Sequence, residues 1–237
     1  MQDRRVQASI VMPALNEEKY IGASLEGLTR QTFKDFEIIV VDGASADRTR
    51  SIAGKYARVL IEKRKGMARA RNKGAKAANG DILIFLDADT KPTRSLVSTY
   101  LDAFDDEKVI AATGPILPLE KTNIRILWGY KFVSILFVKV SIFLGVPSLV
   151  GSNFAVRKSA FDKVHGFNGN LMTYEDWDLS IRLRKLGEIK YLDKAVVYTS
   201  ARRVKEWGVF GYFKYHIENM FLYNVMKKPK TNYAPIR

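Results

Sequence analysis

Asp87 and Asp89 stand two residues apart at the end of the apolar run Ile82-Leu83-Ile84-Phe85-Leu86. If the chain bends there, both carboxylates turn toward one cation. Hard oxygen donors suit Mg²⁺ or Mn²⁺, which reach on to phosphate oxygens and neutralise charge on a leaving diphosphate. The competing reading is an ordinary turn, Asp87-Ala88-Asp89-Thr90, with one side chain capping a helix near Thr93. A second acidic pair opens the stretch Glu175-Asp176-Trp177-Asp178. A carboxylate beside an acceptor hydroxyl can take its proton as a general base. Otherwise the same acids simply favour a helix N-terminus.

Three further segments carry polar residues of interest. Asp42-Gly43-Ala44-Ser45-Ala46-Asp47 follows another apolar run; Gly43 admits a close backbone approach, and Asp42 could accept from a nucleobase N–H or a ribose hydroxyl. Ser45 and Asp47 read more simply as helix caps, whereas Asp42 lies too early for one. In Pro13-Ala14-Leu15-Asn16-Glu17-Glu18 a cap accounts for Glu18 but not equally for Asn16 and Glu17. The basic run from Lys63 to Gly74 suits phosphate at a helix N-terminus, or is a solvated basic face. Nucleic acid ranks below both, because this patch has no aromatic residues and the chain no nucleic-acid motif.

These residues need a scaffold that gathers them. β-rich apolar runs occur at 8–12, 37–42, 59–61, 82–86 and 109–113, and helical stretches are expected at 19–30, 47–56, 67–78 and 93–104. Runs such as Ile38-Ile39-Val40-Val41 are apolar on both faces, as in parallel sheets covered on both sides. The expectation is an α/β domain with a mainly parallel, twisted sheet flanked by helices, binding its ligand at the carboxyl ends of the strands. The acids at 42, 87 and 89 all follow predicted strands, as do Arg202 and Arg203.

The chain has 237 residues, 47% hydrophobic and 27% charged, enough for one large domain, or one domain with an appendage. The expected division is one main domain over 1–205, with a first half to about 115 and a second half over 116–205. An aromatic and basic helical tail follows over 206–237. There is no cysteine, which excludes disulfides and thiolate metal sites and is compatible with a reducing cytoplasm. Met1 to Gln7 is polar and leads into a run too short for a signal-peptide core or a membrane span. The net charge of +14 favours polyanions: phosphorylated ligands, anionic lipid or nucleic acid. The segment 124–150 is strongly apolar but interrupted by Lys131 and Lys139, so spanning is disfavoured. It suits a helix lying in a membrane interface, or one packed on the sheet or on a second subunit. The tail, with Lys227, Lys228 and Lys230 at its end, would add a second contact, giving a peripheral protein on the inner face of the cell membrane.

In order and spacing, the motifs taken together resemble the inverting glycosyltransferases of family 2, which have the GT-A (Rossmann-like nucleotide-diphospho-sugar transferase) fold. They are the stretches 9–17, 39–49, 66–74, 80–89 and, later, Gly151-Ser152-Asn153, His165-Gly166-Phe167 and Tyr174–Leu183. The likeness covers roughly residues 8 to 205 and implies that 1–205 is a catalytic domain, with the nucleotide-sugar half to about 115 and the acceptor half over 116–205. It implies that Pro13, Ala14, Asn16, Glu17 and Asp42 surround the base and ribose, and that Gly66, Arg69 and Ala88 lie near the nucleotide sugar. Asp87 and Asp89 would hold Mg²⁺ or Mn²⁺, Asp89 more directly. Asp176 would act as base, supported by Glu175. Arg202 or Arg203 would meet the donor diphosphate, for which a planar guanidinium fork is suited; a surface pair for anionic lipid is the alternative. The donor would be a UDP-sugar before a GDP-sugar. The acceptor would be a hydroxyl on a lipid-linked or membrane-proximal glycan; a polyprenyl-phosphate acceptor would need no base. A sugar-phosphate nucleotidyltransferase would show a Gly-rich loop after the first strand, and Pro13-Ala14-Leu15-Asn16 is not one. A non-catalytic binding module has no need for both acidic pairs. A hydride-transfer enzyme lacks its G-x-G-x-x-G.

Overall fold

A computed structural model describes residues 6–226 except 144, 146 and 147. Most of the polar start, Val146 and Pro147 of the apolar segment, and the tail lysines Lys227, Lys228 and Lys230 lie outside the described residues. In chain order the elements are β1 (Ala8–Ala14), α1 (Ile21–Thr29), β2 (Phe36–Asp42), α2 (Thr49–Ala53), β3 (Arg58–Ile61), α3 (Met67–Ala77), β4 (Ile82–Leu86), β5 (Thr90–Pro92), α4 (Leu96–Ala103), β6 (Val109–Thr113) and β7 (Ile116–Pro118). Then come α5 (Ile124–Lys131), a π-helical turn (Phe132–Phe137), α6 (Val138–Phe143), β8 (Asn153–Arg157), α7 (Lys158–Lys163), α8 (Glu175–Arg184), β9 (Glu188–Tyr191), β10 (Val197–Thr199) and α9 (Arg202–Met226).

Seven strands form one sheet in the order β3-β2-β1-β4-β8-β6-β9. The pairs from β3 to β4 and the pair β6–β9 are parallel; β8 runs antiparallel to both its neighbours. The apolar runs are buried on both faces, as a helix-covered sheet requires. In β4, Ile82, Ile84 and Leu86 join one core, while Leu83 and Phe85 join the other. On the second face Phe85 stacks on Phe154 at 4.8 Å and meets the edge of Phe167 at 5.3 Å.

The helices are shorter than the expected ranges. The residues before α1 and α2 are occupied in loop contacts: Glu17 N–H donates to Thr49 Oγ1 and Glu18 N–H to Asp47 Oδ2. Glu18 therefore does not cap α1, contrary to the simple reading; its carboxylate accepts from the Arg48 backbone N–H and Nε. Asp47 behaves as expected, accepting from Thr49 N–H at the start of α2. The segment after Asp89 forms β5 before any helix begins, and β5 joins β10 and β7 in a small second sheet, order β5-β10-β7.

The first turn of α9 is separated from the rest by Gly208, whose φ of 71° breaks the helix there.

Candidate active site

Register alone collects the acids. Ala14 at the end of β1 lies opposite Asp42 at the end of β2, and Val11 lies opposite Phe85, so the chain leaving β4 at Asp87 emerges on the same edge. β8 runs back from that edge, with Asn153 opposite Leu86, which brings the loop before it, Gly151 included, against Asp87. The small sheet adds the last part. Thr199 pairs with Thr90, and Ser200 N–H donates to the Asp89 carbonyl at 3.3 Å, so the chain after β10 delivers Arg202 to Asp89.

At the end of β2 Asp42 is fully buried. Its Oδ2 accepts from Ser45 N–H at 3.1 Å and pairs with Arg50 at 3.2 Å, while Oδ1 is buried with no hydrogen-bond partner. A buried acceptor left open is costly, and a ligand N–H or O–H would satisfy it. Asn16 sits at φ 54°, an uncommon conformation for a non-glycine residue. Its Oδ1 accepts from Ala46 N–H and its own N–H donates to Ser45 Oγ, so Asn16 ties the β1 loop to the β2 loop. Glu17 receives both amino groups of Arg202. The same guanidinium lies 3.3 Å from Asp89 Oδ2. Burial first, then the charge on Asp87, pushes the Asp89 carboxyl up to about 6 against the pull of Arg202.

Arg71, on α3, ties the two halves together. Its side chain is 1% exposed. It donates to Glu175 Oε1 at 2.7 Å, to Asp87 Oδ1 at 3.0 Å and to the Gly151 carbonyl at 2.9 Å. Desolvation works against its charge, but Asp87, Glu175 and Asp176 more than offset this and hold it protonated.

Beyond Arg71, α8 opens with Glu175 and Asp176 directly after Tyr174, which is left-handed at φ 63°. Such a conformation in a bulky residue costs on the order of 1 kcal/mol or more and concentrates at functional sites. Asp176 Oδ2 accepts from Gly151 N–H at 2.9 Å and Oδ1 from Trp177 N–H at 2.8 Å. Gly151 is needed here because a Cβ would stand 2.8 Å from Asp176 Oδ2. Burial raises the pKa of both Glu175 and Asp176, with Arg71 opposing.

The sequence matches the model of the glycosyl transferase family 2 over residues 9–165. The chain belongs to this family. A probable glycosyltransferase of Bacillus subtilis, YdaM, is 28% identical over 211 residues, which are 81% of this chain and 50% of YdaM. The chain thus spans half the length of that relative. Among solved structures, the mannosyltransferase PcManGT from Pyrobaculum calidifontis, in complex with GDP-Man and Mn²⁺, superposes with a TM-score of 0.71 at 19% identity, covering 97% of this chain and 66% of PcManGT. S. aureus TarS 1–349 with UDP gives 0.67 at 20% identity, covering 95% and 73%. The fold is GT-A.

Within this family 2 chain, Arg202 gathers Glu17 and Asp89, Arg71 gathers Asp87 and Glu175 beside Asp176, and Asp42 lies on the same sheet edge. Pro13 and Ala14 are buried at the end of β1, and the Ala14 carbonyl accepts from Gly43 N–H. Ala88 is buried, its carbonyl taken by Ser24 Oγ. Gly66 precedes α3 at φ 122°, and Arg69 is half-buried against Gly66 and Gly169. Arg203 diverges from Arg202, with its guanidinium 6.0 Å from the centre of the Trp207 ring. In the basic run, Arg64 is engaged with Glu62 by two 3.0 Å bonds.

Sequence reasoning gave no individual role to Arg71 or Asn72. Asn72 clamps Phe167 through both its N–H and its carbonyl, at 2.9 and 2.8 Å. A hint lay in the periodicity: Arg71 falls on the helix face of the buried Ala68 and Ala75, where a cation needs partners. Asn153 proved structural, fully buried and bonded to Tyr100, Pro115 and Ala195.

Proposed function

We propose that this chain transfers a sugar from a nucleoside-diphosphate sugar, a UDP-sugar before a GDP-sugar, to an acceptor hydroxyl, inverting the anomeric carbon. One observation carries the reading. A single buried guanidinium, Arg71, grips both Asp87 on the donor side and Glu175 beside Asp176 on the acceptor side. Both nucleotides occur among the structural neighbours, UDP with TarS and GDP-Man with PcManGT; UDP is preferred as the more widespread donor.

Asp87 and Asp89 fit a divalent cation. Mg²⁺ usually takes one or two carboxylates from a protein and fills its other positions with water and substrate phosphate. The raised pKa of Asp89 marks crowded, desolvated negative charge that a cation would relieve. Bound there, Mg²⁺ or Mn²⁺ would stabilise negative charge on the departing diphosphate.

The chain's own residues do the rest. Asp42 Oδ1 accepts a hydrogen bond from the base or ribose. Arg202, rather than Arg203, turns its fork from Glu17 and Asp89 to the diphosphate. Asp176, oriented by Gly151 N–H and made more basic by burial, takes the proton of the acceptor hydroxyl. The acceptor oxygen then bonds to the anomeric carbon as the bond to the diphosphate oxygen breaks, and the nucleoside diphosphate leaves. Glu175, through Arg71, keeps Asp176 in register with the donor. A lipid-linked or membrane-proximal glycan is the acceptor favoured by the apolar segment 124–143, where Ile126 packs on Ala201 and Val204 and Tyr130 OH donates to the Ser200 carbonyl, and the protein then acts at the cytoplasmic face of the membrane.

The test is a thermal-shift screen of UDP- and GDP-sugars with Mn²⁺ or Mg²⁺. At a hundredfold excess over Kd a true donor adds about 2.7 kcal/mol of stability. Asp176→Asn should keep that shift and lose turnover; full turnover in this variant overturns the base assignment.

A further inference from the structure

The segment from Ile124 to Phe143 has an outer face that the catalytic reading does not use. Ile124, Trp128, Phe132, Leu136, Val140 and Phe143 are all exposed, Trp128 at 66% and Phe143 at 89%. Their spacing is four, four, four, four and three. In a pure α-helix a step of four drifts by about 40° around the axis, so such a stripe would wind away. The wider turn at Phe132–Phe137, bonded i to i+5, takes back part of that drift and holds the stripe on one side. The opposite side is committed to the domain. Ile126 packs on Ala201 and Val204, Val138 and Ser141 are buried, and Lys139 pairs with Asp193 beside β9. These contacts hold the segment near both ends, and Lys131 and Lys139 interrupt it, so a lie along a membrane surface accommodates its charges; its 20 residues, 19% buried, and mean hydropathy of 1.7 are also sufficient to cross a bilayer.

Charge selects the occupant. From Lys121 to Phe143 there are four cations, Lys121, Arg125, Lys131 and Lys139, and no Asp or Glu. Beside the stripe, a cavity of about 770 Å³ opens between α5 and the break at Gly208. Arg125 and Lys205 line it together with Ile126, Trp207 and Phe210, the last 82% exposed. An apolar stripe flanked by cations is what the interface of an anionic bilayer accommodates; a second protein surface would have to bury those cations against acids.

We infer that this face docks on the surface of an anionic lipid membrane, aromatic side chains among the acyl chains and Arg125, Lys131 and Lys205 at the headgroups. Because α9 begins at Arg202, docking would hold the mouth of the site close to the lipid surface.

The experiment is co-flotation of the full chain with vesicles of phosphatidylcholine containing 30% phosphatidylglycerol, against phosphatidylcholine alone, at low and high salt. The protein should float with the anionic vesicles, less so at high salt, and stay behind with neutral ones. Trp128→Ser and Phe143→Ser should each weaken partitioning at least tenfold. Arg125→Glu and Lys131→Glu should each weaken it about fivefold or more. Melting temperature and donor hydrolysis without lipid should be unchanged in all four, so a failure here is distinct from a failure of the transferase reading. The inference is overturned if the wild type stays in the lipid-free fraction, or if the stripe variants float like wild type. It is also overturned if the chain is a dimer in solution that Trp128→Ser dissociates, since the stripe then belongs to a second copy.

Discussion

Replacing Arg71 with Met should be among the most damaging single changes in this protein, for a reason that can be put in numbers. The guanidinium is essentially inaccessible to solvent and serves Glu175, Asp87 and the Gly151 carbonyl within 3.0 Å. A methionine of similar length keeps most of the packing and removes the charge, leaving buried carboxylates without their cation. Breaking a buried pair in this way costs about 3–5 kcal/mol. For a chain of this size 1 kcal/mol moves Tm by about 2–4 °C, so the fall should be about 6–20 °C by calorimetry or circular dichroism. The loss should be smallest below about pH 7, where burial already keeps Glu175 protonated in the wild type, and should grow as pH rises above that. Without Arg71 the pKa of Glu175 rises further, so the folded variant takes up protons more readily than the unfolded chain as pH falls, and the deficit shrinks. Glu175→Gln in the Arg71→Met background should recover part of it. The reasoning is refuted if Arg71→Met melts within about 2 °C of wild type, or if the double variant shows the plain sum of the two single losses.

Asp89 gives a prediction with a defined pH window. Its folded pKa of about 6 exceeds the ordinary 3.8, so the folded state holds the extra proton between those values and stability falls as pH rises through them. Asp89→Asn should therefore stabilise the metal-free protein by up to roughly 3 kcal/mol at pH 8 and by nothing near pH 3, read from urea melts. The same proton competes with a cation, so Mn²⁺ affinity in calorimetric titration should fall below about pH 6. Gly151→Ala places a methyl against Asp176 Oδ2 and should lower kcat at least tenfold while donor binding is retained. Glu17→Ala should free Arg202 and leave thermal stability within about 2 kcal/mol of wild type, while Arg202→Ala weakens diphosphate binding; equal donor affinity in Arg202→Ala would assign that role elsewhere.

The strands were legible because burial on both faces leaves its mark locally: Ile38–Val41 and Ile82–Leu86 contain little that could face water. The acids after them were legible because a carboxylate at such a strand end has little structural reason to be there. Pairings made over long separations were not legible. Glu17 meets Arg202 across 185 residues, and Arg71 meets Glu175 across 104. No local pattern announces either. The antiparallel insertion of β8 likewise depends on its partners on both sides. The π turn at Phe132–Phe137 was hidden because a run apolar on most sides fits several helical periods. Glu18 shows a further limit: near a helix start an acid reads as a cap, and Glu18 braces one loop against another instead; the loop contacts of Asn16 likewise depend on a partner 30 residues away.

The most direct test is a crystal structure of the protein with UDP and Mn²⁺, using the anomalous signal of manganese. The account predicts a manganese peak between Asp87 and Asp89, bridged to the diphosphate, with Arg202 turned from Glu17 to phosphate and Asp42 Oδ1 bonded to the nucleoside. It is contradicted if the nucleotide binds while Asp87 stays on Arg71, Asp89 stays on Arg202 and the manganese peak lies elsewhere.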